Sequence, residues 1–417
     1  MMDWMPMRRI EIESMTLGPY GVGHLEGKTV MVPNTAPQDL IEAEIIAERP
    51  AYARARVGQV VRPAPVRRTP PCPFLPRCGG CDWQHLDYSA QLQIKGELLA
   101  REFERRLEVK LEPRGLVEPS PREWAYRSRV RLKMGAEGVL GYHELESNRL
   151  VAIERCLVAT TELDAAQKFL RETHLRATEL EIVGKHAAQV LIVHCAAFND
   201  GHLKRAARAL EQDSRLAGLV LKSSSRRVVL GDAALAYEPE DGYEIVADAD
   251  SFSQVNLAQN QKLVATVMEF AAPAPALPLL DLFCGAGNFS LPAARRGAPV
   301  TGVDSDELAI AAARRNAQRM NLPNAQFIAT PAASTAQFLH RAKYHPAVVL
   351  LDPPRTGAAA LLEPLARLRA PQIIYVSCDP HTLIRDLRAL IAYRYKLSQL
   401  RAFDFFPHTH HVELAVR

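Results

Sequence analysis

Three short apolar runs in the last third of the chain each end on a polar or reactive group. Leu279-Leu280-Asp281-Leu282-Phe283 runs into Cys284-Gly285-Ala286-Gly287, Val348-Val349-Leu350-Leu351 into Asp352-Pro353-Pro354-Arg355, and Ile373-Ile374-Tyr375-Val376 into Ser377-Cys378-Asp379-Pro380. Runs of this length, bounded by Gly and Pro, read as strands buried on both faces. Stretches with helical spacing, rich in Ala and Leu, separate them at 308–320, 361–368 and 382–392. That alternation predicts a parallel, doubly wound sheet, which presents its chemistry at the carboxyl ends of its strands. A lone cysteine is usually a buried small hydrophobe. Cys378 is different, because Asp and Pro follow it directly and mark an exposed edge.

At 417 residues the chain is too long for one ordinary core, so two or three domains are expected. Residues 8–61 read as short strands with turn chemistry between them, a small barrel, and the Pro-rich, basic stretch 63–71 reads as a linker. A helix is expected over Tyr88–Leu107, then strands near 127–134, 149–153, 188–195 and 217–222, with a second linker at 271–276. The expected fold class is multidomain α/β: a β-barrel over 1–62, a central α+β region over 63–250, and a Rossmann-like domain over 251–417. No window of 18 apolar residues and no signal-like start occur, so a cytoplasmic protein without membrane contact is the expectation.

Cys72, Cys78 and Cys81 fall within ten residues around Gly79-Gly80. In a reducing compartment such clustering points to a metal, zinc or an iron–sulfur cluster, with Cys156, Cys195 or Cys284 as the missing ligand. Arg127, Arg129, Arg131 and Lys133 alternate with apolar residues, so a strand would align them on one face. That face is either solvated or a track for the phosphates of RNA.

The turn at Gly285-Ala286-Gly287 sits where a strand hands over to a helix, and Asp304 follows the next apolar run, placed for ribose hydroxyls. Position 290 is Ser, so the third glycine of a dinucleotide fingerprint is missing, and no Gly-Lys-Ser/Thr follows for a P-loop. A nucleoside cofactor without a pyrophosphate, S-adenosylmethionine, fits better.

With these residues in view, the chain resembles the S-adenosylmethionine-dependent RNA 5-methyluridine methyltransferases. The resemblance rests on the barrel (of the type called TRAM), the cysteine run continuing to Gln84-His85-Leu86, Phe252/Gln254/Asn256, Asp281-Leu282-Phe283-Cys284-Gly285, Asp352-Pro353-Pro354-Arg355, Ser377-Cys378-Asp379-Pro380 and Phe406-Pro407-His408-Thr409 with His411-Val412-Glu413. It implies that the last domain is a class I methyltransferase and that Cys72, Cys78, Cys81 and Cys156 hold a [4Fe–4S] cluster. It also implies that Gln254, Phe283, Asn288, Asp304 and Asp352 line the cofactor site. Where the family carries an acidic or amide residue near adenine, the stretch 327–333 here offers only Thr330.

The implied chemistry needs a thiolate to add at uracil C6 and a carboxylate to remove the C5 proton afterwards. Cys378 and Glu413 suit those roles. Asp352 would stand by the methionine end of the cofactor, although an Asp followed by Pro is also a common helix cap. Methylation of an exocyclic amine, which needs no cysteine, is the runner-up chemistry, and a non-catalytic RNA-binding module is the rival of another class. The resemblance points to 23S ribosomal RNA, at the uridine conventionally numbered 1939, with uridine 747 or a tRNA T-loop uridine as alternatives. No protein partner is implied, and a monomer is expected.

Overall fold

The structure is a computed structural model and describes residues 7–135, 138–185, 188–331, 334 and 344–417. The chain separates into two compact units, each built from discontinuous stretches. One takes Met1–Pro119, Tyr142–Val151 and Phe406–Val412; the other takes Ser120–Gly141, Ala152–Phe405 and Glu413–Arg417.

In the first unit, β1 (Arg8–Met15), β2 (Tyr20–Leu25), β3 (Lys28–Pro33), β4 (Leu40–Glu48) and β5 (Tyr52–Arg62) close into a barrel in the order β1-β2-β3-β5-β4. Period-2 alternation fills it with Ile10, Ile12, Val30, Val32, Ile41, Ala43, Ala53 and Ala55. Closure leaves no open strand edge. Residues 1–6 of the expected barrel domain lie outside the described residues. Asp39, fully buried, accepts from the amides of Ala36 (2.7 Å) and Ala64 (2.8 Å) and from Arg67, which bolts the linker to the barrel. Burial pushes its carboxyl up, but Arg67 and the amides outweigh burial and leave it below the ordinary range. Past the linker, α1 (Tyr88–Leu107) spans the expected residues and is followed by the short strand β6 (Val117–Glu118).

The second unit opens on β7 (Arg129–Met134), which pairs with β8 (Leu140–His143) through Lys133–Gly141 and Met134–Leu140. After β9 (Leu150–Ala152) come α2 (Asp164–Thr173), β10 (Ala177–Lys185), β11 (Ala188–Cys195), α3 (Asp200–Gln212), β12 (Leu216–Lys222) and β13 (Arg227–Gly231), with β13-β12-β11-β10-β7 side by side. The hairpin of β14 (Ala234–Glu240) and β15 (Tyr243–Asp248) precedes α4 (Leu257–Ala271).

The remainder is β16 (Leu279–Leu282), α5 (Ser290–Arg295), β17 (Val300–Asp304), α6 (Glu307–Arg319), β18 (Ala325–Ala329), β19 (Val348–Leu351), α7 (Leu362–Leu368), β20 (Gln372–Ser377), α8 (Pro380–Ala392), β21 (Leu400–Phe403) and β22 (Glu413–Val416). Within this unit the sheet order is β18-β17-β16-β19-β20-β22-β21. The first five strands are parallel, as the alternation predicts, but β22 runs antiparallel to both β20 and β21. The reversal matters: it sets the first residue of β22 beside the carboxyl end of β20. Among the described residues, no helix is long and apolar enough to cross a membrane.

Candidate functional site

Cys378 follows β20 directly, and Glu413 begins β22. The register pairs Val376 with Ala415 and Ser377 with Leu414, and one further step sets Cys378 opposite Glu413. The thiol is half-buried and the carboxyl is 3 % exposed. The turn that carries Cys378 is fixed on both sides. Ser377 Oγ donates to Asp379 O (3.1 Å), and Asp379 caps α8 by accepting from the Thr382 amide (2.9 Å), with Pro380 at the first helical position. On the adjoining strand, Asp352 follows β19 and its amide reaches Leu282 O on β16. No helix begins there, so Asp352 is not a helix cap; the next helical turn starts at Ala359.

Electrostatics set this edge apart. Burial, with Glu413 and Asp352 adding to it, pushes the Cys378 thiol up to about 12. Burial also raises Glu413 well above its ordinary range, with Asp352 in the same direction, and raises Asp352 to about 7, with Asp304 adding to it. Against these stands Arg355, whose guanidinium lowers both Cys378 and Glu413. Arg355 is legible in Asp352-Pro353-Pro354-Arg355, yet sequence reasoning gave it no role, because its influence arises from the turn and not from spacing.

Beside this edge lies the glycine turn. Phe283, Gly285 and Gly287 have φ of +69°, +54° and +99°, and a Cβ on Gly285 would meet nothing within 4 Å, so the turn leaves open space next to backbone. Asp304 spans the turn: Oδ2 accepts from the Gly285 amide (2.9 Å) and Oδ1 from the Asp306 amide (2.9 Å). Asn288 exchanges two side-chain hydrogen bonds with Asn260 of α4, at 2.8 and 3.0 Å. Under the turn Asp281 is fully buried; its Oδ2 accepts from Ser290 Oγ (2.5 Å), Oδ1 has no partner among the described residues, and burial raises the carboxyl to about 8. Asp304 and Asp352 add to the rise at Asp281, and Asp304 to that at Asp352, so these strand ends suit a ligand that brings positive charge. Thr330 donates its amide to Asp304 O (2.8 Å), while Ala332 and Ala333 of the stretch expected near adenine lie outside the described residues.

Gln254 is buried, and Asn256 caps α4 while donating to Ser120 Oγ (3.0 Å) and Phe405 O (3.2 Å). Phe252, two residues before Gln254, is 71 % exposed. Its loop is nonetheless tied down: Asp250 takes Lys222 (3.0 Å) and Arg227 (2.8 Å), and Arg129 donates to Ala249 O and Ser251 O.

That last contact changes the reading of the basic strand. The alternation expected over 127–133 is present, but the row is not an open cationic track. Arg129 is half-buried and bonds Glu181 (3.0 Å), and Arg131 (2.6 Å) and Lys133 share Glu179, because β10 pairs in register and sets Glu181 opposite Arg131 and Glu179 opposite Lys133. Arg127 is half-buried, with its backbone bonded to Val158 and Thr160.

In the first unit, Cys72, Cys78 and Cys81 are half-buried and in no disulfide, on a loop without helix or strand. The Gly79 amide donates to His143 O (3.0 Å), and a Cβ there would stand 2.8 Å from that oxygen, so only glycine permits the approach. The loop continues into Asp82, which accepts from the His410 amide (3.1 Å), and Gln91 Oε1 accepts from the His408 amide (2.8 Å). Cys156 belongs to the second unit. Among the described residues, no three His, Cys, Asp or Glu side chains stand close enough to hold a metal ion. Cys195 and Cys284, the other candidates, are buried and their thiols pushed up by burial.

Comparison with known proteins gives the family and the fold. A family model described as tRNA (Uracil-5-)-methyltransferase matches residues 147–417. The 23S rRNA (uracil(1939)-C(5))-methyltransferase RlmD of Pectobacterium atrosepticum is 31 % identical over 98 % of this chain and 93 % of its own length. The protein of the same name from Pseudomonas putida is 32 % identical over 97 % and 92 %. Among solved structures, the Pyrococcus abyssi tRNA (uracil-54, C5)-methyltransferase in complex with S-adenosyl-L-homocysteine superposes with a TM-score of 0.75 at 26 % identity, covering 98 % of this chain and 99 % of that one.

Proposed function

The chain belongs to the tRNA (uracil-5-)-methyltransferase family, and from that premise we propose that it methylates C5 of a uridine in 23S ribosomal RNA, the one equivalent to position 1939 in its relatives' names. The observation that carries the reading is the pair Cys378 and Glu413, opposite one another where β20 and β22 meet.

S-adenosylmethionine supplies the methyl group on a positively charged sulfur. Gln254, Phe283, Asn288, Asp304 and Asp352 would hold it, a role supported by the open space at Gly285, by Asp304 bonded to the Gly285 amide and by the carboxyls of Asp281 and Asp352 that it acts on. Cys378 Sγ adds to C6 of the uracil as the thiolate, its proton released to solvent, and the electron pair of the C5–C6 double bond moves into an enolate whose C5 takes the methyl group. Glu413 then accepts the proton from C5, the double bond re-forms, and Cys378 leaves as thiolate. A base inside folded RNA must first leave its stack. Phe252, exposed on a pinned loop, offers a face on which an unstacked base can rest. The barrel over 1–62 and the region 63–250 would bind the RNA, with Arg127, Arg129, Arg131 and Lys133 contributing.

Cys72, Cys78, Cys81 and Cys156 would hold a [4Fe–4S] cluster. The thiol donor set and a loop free of regular structure suit the group, which would fix that loop; methyl transfer itself needs no electron. One preparation tests both proposals. Purified without oxygen, the protein should carry iron and sulfide and absorb in the visible, and it should methylate a 23S transcript at one mapped uridine. A colourless zinc protein rules out the cluster, and methylation confined to tRNA rules out the target.

The carboxyl shifts give a pH dependence. Burial raises the Asp352 carboxyl to about 7, and a cationic ligand favours its ionised form. Affinity for S-adenosylmethionine should therefore rise about tenfold from pH 6 to pH 8. Asp352→Asn should flatten that slope in calorimetric titration, and a slope equal to wild type would remove Asp352 from the cofactor site.

A further inference from the structure

The turn after β19 is held from beneath by a buried carboxylate that the reaction does not use. Asp386 of α8 is fully buried. Its Oδ2 accepts from the Ala358 amide (2.8 Å) and from the Tyr375 hydroxyl (2.8 Å), and its Oδ1 accepts from Arg385 Nε (2.8 Å). The Ala358 amide also reaches Tyr375 Oη (3.0 Å), and Arg385 Nη2 donates to Thr356 O (2.9 Å). A carboxylate removed from water persists only where donors replace the lost hydration, and here every donor comes from the turn or from the strand and helix beside it. The fit leaves no slack. Gly357 has φ +76°, and a Cβ there would lie 2.5 Å from Arg385 Nη2 and 2.6 Å from Asp386 Oδ2.

The strapped segment carries Asp352 at one end and Arg355 in its middle. Tyr375 lies on β20, three residues before Cys378, so the same hydroxyl belongs to the strand that presents the thiol. We propose that Asp386, through Tyr375, Arg385 and the Ala358 amide, is a positioning residue that sets where Arg355 stands relative to Cys378. The inference rests on the reading of Cys378 as nucleophile. The charged groups acting on that thiol are Glu413 from β22 and Asp352 and Arg355 from the turn, and only Arg355 favours the thiolate. A loosened strap therefore leaves the two carboxyls in place and withdraws their counter-charge.

The test uses the full-length protein without RNA and follows alkylation of Cys378 by iodoacetamide against pH, resolved by peptide mass spectrometry. Asp386→Asn risks the fold, so Tyr375→Phe and Gly357→Ala are the working variants, with melting temperatures measured alongside. Each should slow alkylation at pH 8 by about tenfold, an upward move of about one pH unit in the profile. Arg355→Gln should give the same displacement, and Tyr375→Phe combined with Arg355→Gln should give no more than either alone. An unmoved profile in both working variants, or effects that add in full in the double variant, would overturn the strap. Because alkylation needs neither RNA nor cofactor, a wild-type protein that fails to methylate RNA would refute the proposed function while this comparison still decides the strap.

Discussion

Replacing Cys378 with alanine is expected to lower RNA methylation by at least about four orders of magnitude, while binding of S-adenosylhomocysteine and of RNA changes by less than about twofold. The size of the effect follows from the substrate. C5 of uracil is a weak nucleophile toward a methyl sulfonium, and the other thiol at these strand ends, Cys284, is buried with its ionisation pushed well up. The protein places this thiol where burial, Glu413 and Asp352 all disfavour its charge, so it rests protonated at neutral pH before ligands bind. A resting thiol of that kind is protected from adventitious oxidation and gains its reactivity only as positive charge accumulates beside it. Single-turnover assays with labelled methyl donor are the measurement. Residual methylation within tenfold of wild type would exclude a covalent route and favour the exocyclic-amine chemistry that Asp352-Pro353-Pro354 also permits.

The parts legible in the sequence are those that local chemistry dictates. Apolar runs leading into Cys284-Gly285, Asp352-Pro353 and Cys378-Asp379 give the strand ends, because strands buried on both faces are mostly apolar and Gly, Pro or Asp marks where they stop. Alternation gives the barrel, because Ile10, Ile12, Val30 and Val32 leave only one face to bury. What spacing does not encode is pairing across long separations. Nothing in residues 129–133 foretells that Glu179 and Glu181 on β10 will neutralise them, since register is settled by the whole sheet. The reversal of β22 is equally silent: a short apolar run after His411 reads the same in either direction, yet the reversal is what brings Glu413 to Cys378. Compactness is also non-local, because Phe406–Val412 joins the N-terminal unit through Asp82 and Gln91, more than three hundred residues away.

Glu413→Gln should turn the enzyme into a trap. Glutamine has the volume of glutamic acid and fits a site in which the side chain is 3 % exposed and burial raises the carboxyl well above its ordinary range. Addition of Cys378 at C6 and methyl transfer to C5 make no demand on a carboxylate at 413. Removal of the C5 proton does, and an amide cannot accept it. The covalent intermediate should therefore accumulate to about one methylated RNA per protein and survive denaturing electrophoresis, with turnover down by about two to four orders of magnitude. The same substitution carries a stability signature. In the wild type, ionisation of Glu413 in the unfolded chain begins near its ordinary range while the folded carboxyl stays protonated. Folding thus loses stability as pH rises from about 4.5 towards the raised folded value. Glutamine removes that dependence, so the variant should gain stability relative to wild type between pH 5 and pH 8, measured by denaturant melts. An adduct that holds unmethylated RNA would place the block before methyl transfer and move the base role away from Glu413; undiminished turnover would remove it altogether.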